Sequence, residues 1–372
     1  MSKRQFGSIR RLPSGRYQAR YTGPDTREHK APRTFAAKID AEAWLADRRR
    51  EIDRGLWSTH ADAPKIDLRT YADQWLAHRT LKPRTRQHYR QLLDAHILPA
   101  LGHLPLATIT PADVRTWHAT TLTGKPTMRA HAYSLLRTIF NTAVAEELAD
   151  ANPCRIHSAG SAKRVHRIRP ATVAELETIT QAMPERYRAM ILLASWCALR
   201  FGELTELRRR DIQFGTEEVD GEPPSRWAEI RVRRAVVRVG GEFVVGTPKS
   251  DAGIRDVHVP PHLVPMLEDH LADFVAAQPD SLLFPAVGGG HLLATTLYNW
   301  YYPARNAAGR TDLRFHDLRH SGAVLAASTG ATLAELMARL GHSTPAMAMK
   351  YQHAAAGRDR AIARLLSARL GK

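Results

Sequence analysis

The chain has 372 residues, 44% of them hydrophobic and 24% charged, the mix of a folded protein of two or three domains rather than a disordered one. Its net charge of +17, from 54 basic and 37 acidic residues, favours a polyanionic partner, nucleic acid first and an anionic membrane surface second. No apolar run approaches the roughly 20 residues that span a bilayer, which argues against a membrane protein, and two cysteines, Cys154 and Cys197, are too few for a disulfide framework. A reducing cytoplasm fits, and no signal peptide is expected, because the charged start Met1–Phe6 has no apolar stretch behind it.

Residues 1–58 read as a small basic α+β module. Ser8–Arg11 and Arg16–Tyr21 are predicted strands around the turn Pro13-Ser14-Gly15, with a third at Arg33-Thr34-Phe35. Asp40 is expected to cap a helix that stops before Gly55. Residues 1–56 hold 14 basic against 7 acidic residues. Arg10, Arg16 and Arg20 lie on or beside the strands, where a ribbon could enter a DNA groove; a basic solvated surface would look the same. His60–Lys65 reads as a linker.

Residues 66–156 read as a helical domain. Tyr71, Trp75 and Leu76 mark the apolar face of one helix, and Pro83–Leu93 gives a second with Arg84, Arg86 and Arg90 on its surface as candidate DNA contacts. Thr110-Pro111-Ala112-Asp113 starts another. Lys125-Pro126 opens a helix with Leu135, Leu136, Ile139 and Phe140 at helical spacing. Such helices suit a DNA clamp or a plain bundle. Ser161–Arg169 is a second basic linker, whose Lys163, Arg164, Arg167 and Arg169 could track phosphates.

Residues 168–372 read as an α-rich domain interrupted at 227–260 by one small antiparallel sheet. Its strands are expected at Ile230–Val232, Val236–Val239, Phe243–Val245 and Arg255–Val259, with Gly240-Gly241 as a hairpin turn. The fold class expected is therefore mainly α and multidomain. Arg358–Leu370 reads as an amphipathic helix that packs on its own domain or on a neighbouring subunit.

Chemistry concentrates in this last domain. His316-Asp317-Leu318-Arg319-His320 puts His316, Arg319 and His320 on one helix face. Leu340-Gly341-His342 follows, and then Tyr351. Earlier stand Leu199-Arg200-Phe201-Gly202-Glu203 and, between two predicted strands, Thr247-Pro248-Lys249-Ser250. In order and spacing this set resembles the tyrosine recombinase (phage-type integrase) family. The resemblance covers about residues 170–360 in the catalytic half. The two N-terminal parts look, less specifically, like arm-binding and core-binding domains.

The resemblance implies a site-specific recombinase that joins itself to DNA through a 3′-phosphotyrosine. It needs neither metal nor ATP, because the phosphotyrosine keeps the energy of the broken bond. Attack on a phosphodiester builds charge on the non-bridging oxygens, and arginines clamp such oxygens bidentately at any relevant pH. Arg200 and Arg319 are the candidate clamp. A tyrosine hydroxyl, with a pKa of about 10, needs a proton acceptor and nearby positive charge. Tyr351 is the expected nucleophile and His316 the general base or proton relay. Lys249 is the expected acid for the leaving 5′ oxygen, His342 a phosphate ligand, and Glu203 an orienting residue behind Arg200.

The resemblance further implies double-stranded DNA as partner, a homo-tetramer on paired sites, room for accessory DNA-bending or directionality factors, and a bacterial cell or phage-infected host. Two other readings stay open at this point. His316 and His320 mimic a zinc-hydrolase helix, but Arg319 on the same face would repel a metal. Residues 331–351 also resemble a helix-turn-helix, the mark of a DNA-binding regulator without catalysis; a covalent adduct lost in Tyr351→Phe separates the two. Tyr298, Tyr301 and Tyr302, crowding Trp300, read as packing or DNA-facing residues, and Leu204, Leu207 and Ile212 as core.

Overall fold

In the computed structural model, residues 6–55, 57, 66–162, 169–218 and 224–354 are described, with 363 and 367 beyond them. The chain is mainly α with small antiparallel sheets, and it divides into two compact units, residues 1–164 and 165–372. The linker at 60–65, the bases at 163, 164 and 167, and the C-terminal helix expected at 358–370 lie outside the described residues, except for single positions of that helix. Among the described residues no helix is long and apolar enough to cross a membrane.

In the first unit, β1 (Ser8–Arg11), β2 (Tyr17–Thr22) and β3 (Glu28–Lys30) form an antiparallel sheet in that order. Alternation along β2 turns Ala19 and Tyr21 inward, where they meet Ala41 and Leu45 of α1 (Lys38–Asp53) and Phe35. The third strand is not at Arg33–Phe35. A tight turn, Gly23 N–H to the Arg27 carbonyl at 2.9 Å, starts the return strand early, and Pro32 then deprives the ladder of a donor, leaving Phe35 a single bridge to Tyr17. Nor does Asp40 cap α1. The cap is Ala37, and Asp40 sits inside the first turn, where its charge still suits the helix dipole.

Residues 66–162 close a second core. It is built from α2 (Leu68–Ala77), α3 (Pro83–Leu92), a π-helical turn at 93–97, α4 (Leu98–Leu101), α5 (Pro111–Thr120) and α6 (Pro126–Ala145). Thr110 and Asp113 form a reciprocal capping box at the start of α5. Leu135, Leu136, Ile139 and Phe140 of α6 are buried at helical spacing against Trp75, Leu92 and Ile97.

The second unit has α7 (Val173–Ala182), α8 (Glu185–Trp196), α9 (Phe201–Leu204), α10 (Val264–Phe274), α11 (Ala294–Ala307), α12 (Phe315–Ser328), α13 (Leu333–Leu340) and α14 (Pro345–Ala354). The single sheet expected here is two. β4 (Ile212–Glu217), β5 (Ser225–Val232) and β8 (Arg255–Val259) pair in that order, while β6 (Ala235–Val239) and β7 (Glu242–Gly246) form a separate hairpin. β4 lay hidden because its mixed sequence, Ile-Gln-Phe-Gly-Thr-Glu, has only Ile212 buried. Leu204, Leu207 and Ile212 join the core, and Tyr301 packs edge-on against Phe315.

Helix α12 lies against α8 so closely that a methyl on Gly322 would meet the Ser195 carbonyl oxygen. That approach sets the depth at which Arg319, three residues earlier, enters the protein.

Candidate active site

Four segments converge. The loop after α8 carries Arg200 at the cap of α9, α12 carries His316, Arg319 and His320, the turn after α13 carries His342, and α14 carries Tyr351. The turn is the organiser. Gly341 takes a left-handed conformation, φ 61°, and ends α13 with its last carbonyls unpaired within the helix. Three consecutive carbonyls there each receive a different guanidinium. Arg339 O accepts from Arg255 Nε at 2.8 Å, Leu340 O from Arg319 Nη2, and Gly341 O from Arg200 Nη2 at 3.1 Å. Arg319 Nη1 also donates to the carbonyl of Ala198, a residue held at φ 52°.

Glu203 lies behind this row. It is 2% exposed and accepts from Arg200 Nη1 at 2.6 Å, Arg255 Nη1 at 3.2 Å and Arg255 Nη2 at 3.0 Å. Burial alone would raise its pKa, but Arg255 and Arg200 outweigh burial and hold the carboxyl below its ordinary value. Two guanidiniums thus share one carboxylate. Burial first, then the charges of Arg200 and Arg255, pull the Arg319 pKa down to about 9, with Glu203 acting the other way, so the group stays charged at neutral pH. Such an excess of fixed positive charge suits an anion.

His342 is buried, and its Nδ1 has no hydrogen-bond partner among the described residues. Burial first, then Arg319, Arg200 and Arg255, lower its pKa to about 4, so its ring is neutral at pH 7. It stacks on Tyr351 with ring centroids 6.1 Å apart. Tyr351 is itself buried, and its hydroxyl is hydrogen-bonded to His320 Nδ1. His316 is exposed and meets the His320 ring edge-on at 5.2 Å.

The structure thus brings Arg200, Arg319, His342 and Tyr351 together with Glu203 behind them, and places His316 one ring away from the nucleophile candidate. Lys249 is exposed on the connection between β7 and β8, which joins two sheets rather than two paired strands. The base of that loop is fixed, since Pro248 is buried against Gly253, whose missing side chain leaves it room.

Two residues have no role in the recombinase reading of the sequence. His320 shares a face with His316 and Arg319, and one helix face cannot say which of two histidines meets a tyrosine 31 residues on. Arg255 looked like a strand residue, and nothing in its sequence surroundings tells of Glu203.

Of the candidate DNA contacts outside this site, Arg10 and Arg84 are exposed. Arg16 donates to Thr34 and Arg20 to Glu28 and Gln18. Arg86 clips the carbonyls of Leu76 and Arg79, and Arg90 pairs with Asp73 and Asp94.

The chain matches three family profiles: "Phage integrase, N-terminal domain" at residues 5–54, "Phage integrase, N-terminal SAM-like domain" at 67–121 and "Phage integrase family" at 225–358. It is 61% identical to the putative prophage phiRv2 integrase of Mycobacterium tuberculosis over 370 residues, 98% of this chain and 96% of that one. Among solved structures, the Tn1549 transposon integrase in complex with a circular intermediate DNA superposes with a TM-score of 0.63 at 18% identity, covering 82% of this chain and 99% of that one. A lambda integrase tetramer bound to a Holliday junction superposes with a TM-score of 0.54 at 20% identity, covering 94% and 96%.

Proposed function

This chain belongs to the phage integrase family and is a tyrosine-type site-specific recombinase, and on that premise we propose that Tyr351 attacks a DNA phosphodiester and holds the strand as a 3′-phosphotyrosine. Arg200 and Arg319 clamp the non-bridging oxygens, His342 contacts one of them, and Glu203 fixes the direction of Arg200. A histidine of α12 takes the proton of the Tyr351 hydroxyl, His316 being the one the motif offers, and Lys249 protonates the leaving 5′ oxygen. Rejoining reverses these steps with the energy stored in the phosphotyrosine.

The observation that carries this reading is the row of guanidiniums on the turn after α13, with the buried Tyr351 stacked on His342 of the same turn. Fixed donors aimed at developing charge supply the largest part of such a barrier reduction, about 100- to 1,000-fold per donor.

Residues 1–58 act as the arm-type module, 66–156 as the clamp and 168–372 as the catalytic domain. Double-stranded DNA of a phage or mobile element is the substrate, and four protomers assemble on two sites, as the lambda integrase tetramer does on its junction. The exposed Arg10 and Arg84 meet DNA phosphates. Arg200→Ala and Arg319→Ala test the clamp: both variants should bind a target duplex nearly as well as wild type and fail to cut it. Normal cutting by either removes the clamp from the mechanism.

A further inference from the structure

We infer that His320, rather than His316, is the group that takes the proton from Tyr351. The inference rests on Tyr351 being the nucleophile and adds the identity of its base. His320 Nδ1 is the ring nitrogen hydrogen-bonded to the Tyr351 hydroxyl. His316 meets the far side of this pair, edge-on to the His320 ring, and is exposed.

The position of His320 follows from the fold. Arg319 is locked by the carbonyls of Ala198 and Leu340, which fixes the rotation of α12 at that turn and leaves residue 320 facing α14. The tyrosine ring is held in turn by the stack with His342. Both partners of the hydrogen bond are therefore set by neighbours that do not take part in proton transfer.

The step balances as follows. The Tyr351 Oη–H bond breaks and its proton moves to His320 Nδ1, which requires the resting ring to carry its hydrogen on Nε2. The oxygen lone pair forms the Oη–P bond. The P–O5′ bond breaks, and the leaving oxygen takes a proton from the Lys249 ammonium. On rejoining, the attacking 5′ hydroxyl returns its proton to Lys249, and the departing tyrosine oxygen recovers its own from His320. The dianionic phosphorane that forms at the same moment favours the charged imidazolium.

The test is single-turnover adduct formation on a nicked suicide duplex, with an ordinary scissile phosphate and with sulfur replacing the 5′ bridging oxygen. A thiolate leaves without being protonated, so the sulfur substrate bypasses the acid but not the base. His320→Asn keeps an acceptor near the Nδ1 position but cannot take a proton, so it distinguishes a base from a hydrogen bond that only holds the ring.

His320→Asn and His320→Ala should bind the duplex as wild type does and lose adduct formation by about 100- to 10,000-fold on both substrates. Lys249→Ala should be restored by sulfur. Wild-type rates in His320→Asn would overturn the inference, and so would restoration of His320→Ala by sulfur. Where His320→Ala does not fold, the Asn variant, compared at an equal unfolding midpoint, decides. An adduct still formed by Tyr351→Phe would be a different failure, that of the nucleophile itself.

Discussion

Arg255 and Glu203 form a bidentate pair inside the protein, Nη1 to Oε1 at 3.2 Å and Nη2 to Oε2 at 3.0 Å, with 8% and 2% of the two residues exposed. Arg255 holds the carboxylate with both Nη atoms, so the Arg200 guanidinium makes one bond to Glu203, beside that of its backbone N–H, and keeps Nη2 for the Gly341 carbonyl. The pair joins β8, α9 and the turn after α13.

Removing one member of such a pair leaves a buried charge alone. Arg255→Met should destabilise the protein by about 3–5 kcal/mol and reduce cutting, while Arg255→Met with Glu203→Gln should recover much of the lost stability. Urea unfolding of both variants is the check. Equal losses in the single and the double variant would show that the pair is not the cause.

Gly341 and Gly322 are the two glycines on which the site's shape depends. A methyl on Gly341 would lie 2.7 Å from the Ala252 carbonyl oxygen and would sit at φ 61°. Left-handed backbone alone costs an L residue about 1–2 kcal/mol. A methyl on Gly322 would lie 1.6 Å from the Ser195 carbonyl oxygen, so α12 and α8 would have to part. Gly322→Ala should therefore cost about 3 kcal/mol or more and Gly341→Ala somewhat less. The Gly341 variant should also lose cutting out of proportion to its stability, because its carbonyl and those of residues 339 and 340 aim three arginines. Thermal unfolding and adduct assays measured together separate the two effects.

His342 supplies a pH dependence. Its pKa is depressed from 6.5 to about 4 in the folded protein, by burial first and then by the surrounding arginines. Between these values the unfolded chain binds a proton that the folded one refuses. Stability from this residue is thus complete above pH 6.5 and is lost as the pH falls toward 4. His342→Gln should flatten that part of the curve of unfolding midpoint against pH. Parallel curves for the variant and wild type would contradict the assignment.

The clamp arginines should separate by role. Arg84→Ala should weaken DNA binding similarly for all sequences and lower the salt slope by about one. Arg86→Ala should instead lower the unfolding midpoint, because its guanidinium joins the Leu76 and Arg79 carbonyls. Fluorescence anisotropy across a salt series gives the first quantity and calorimetry the second. A reversed result would mean that α3 presents Arg86, not Arg84, to the duplex.

The sequence made the helices legible wherever caps and apolar spacing agreed, as at Thr110-Pro111 and across Leu135–Phe140. It showed the site as an ordered set of motifs, because arginine, histidine and tyrosine at those positions have few other uses in common. What it hid was pairing. Period-two alternation marks a strand but not its neighbour, so β8 joined β5 rather than the hairpin, and β4 went unseen with one buried residue. Pairing also decides which histidine meets Tyr351 and which arginine meets Glu203. Both contacts span long stretches of chain, 31 and 52 residues, and depend on the packing of α12 on α8 and the turn at Gly341.

The most direct measurement is mass-spectrometric mapping of the residue joined to DNA after reaction with a nicked suicide duplex. The account predicts one adduct, on Tyr351 through a 3′ phosphate, absent from Tyr351→Phe and strongly reduced in Arg200→Ala and Arg319→Ala. DNA attached to any other side chain, or an undiminished adduct without either arginine, would contradict it.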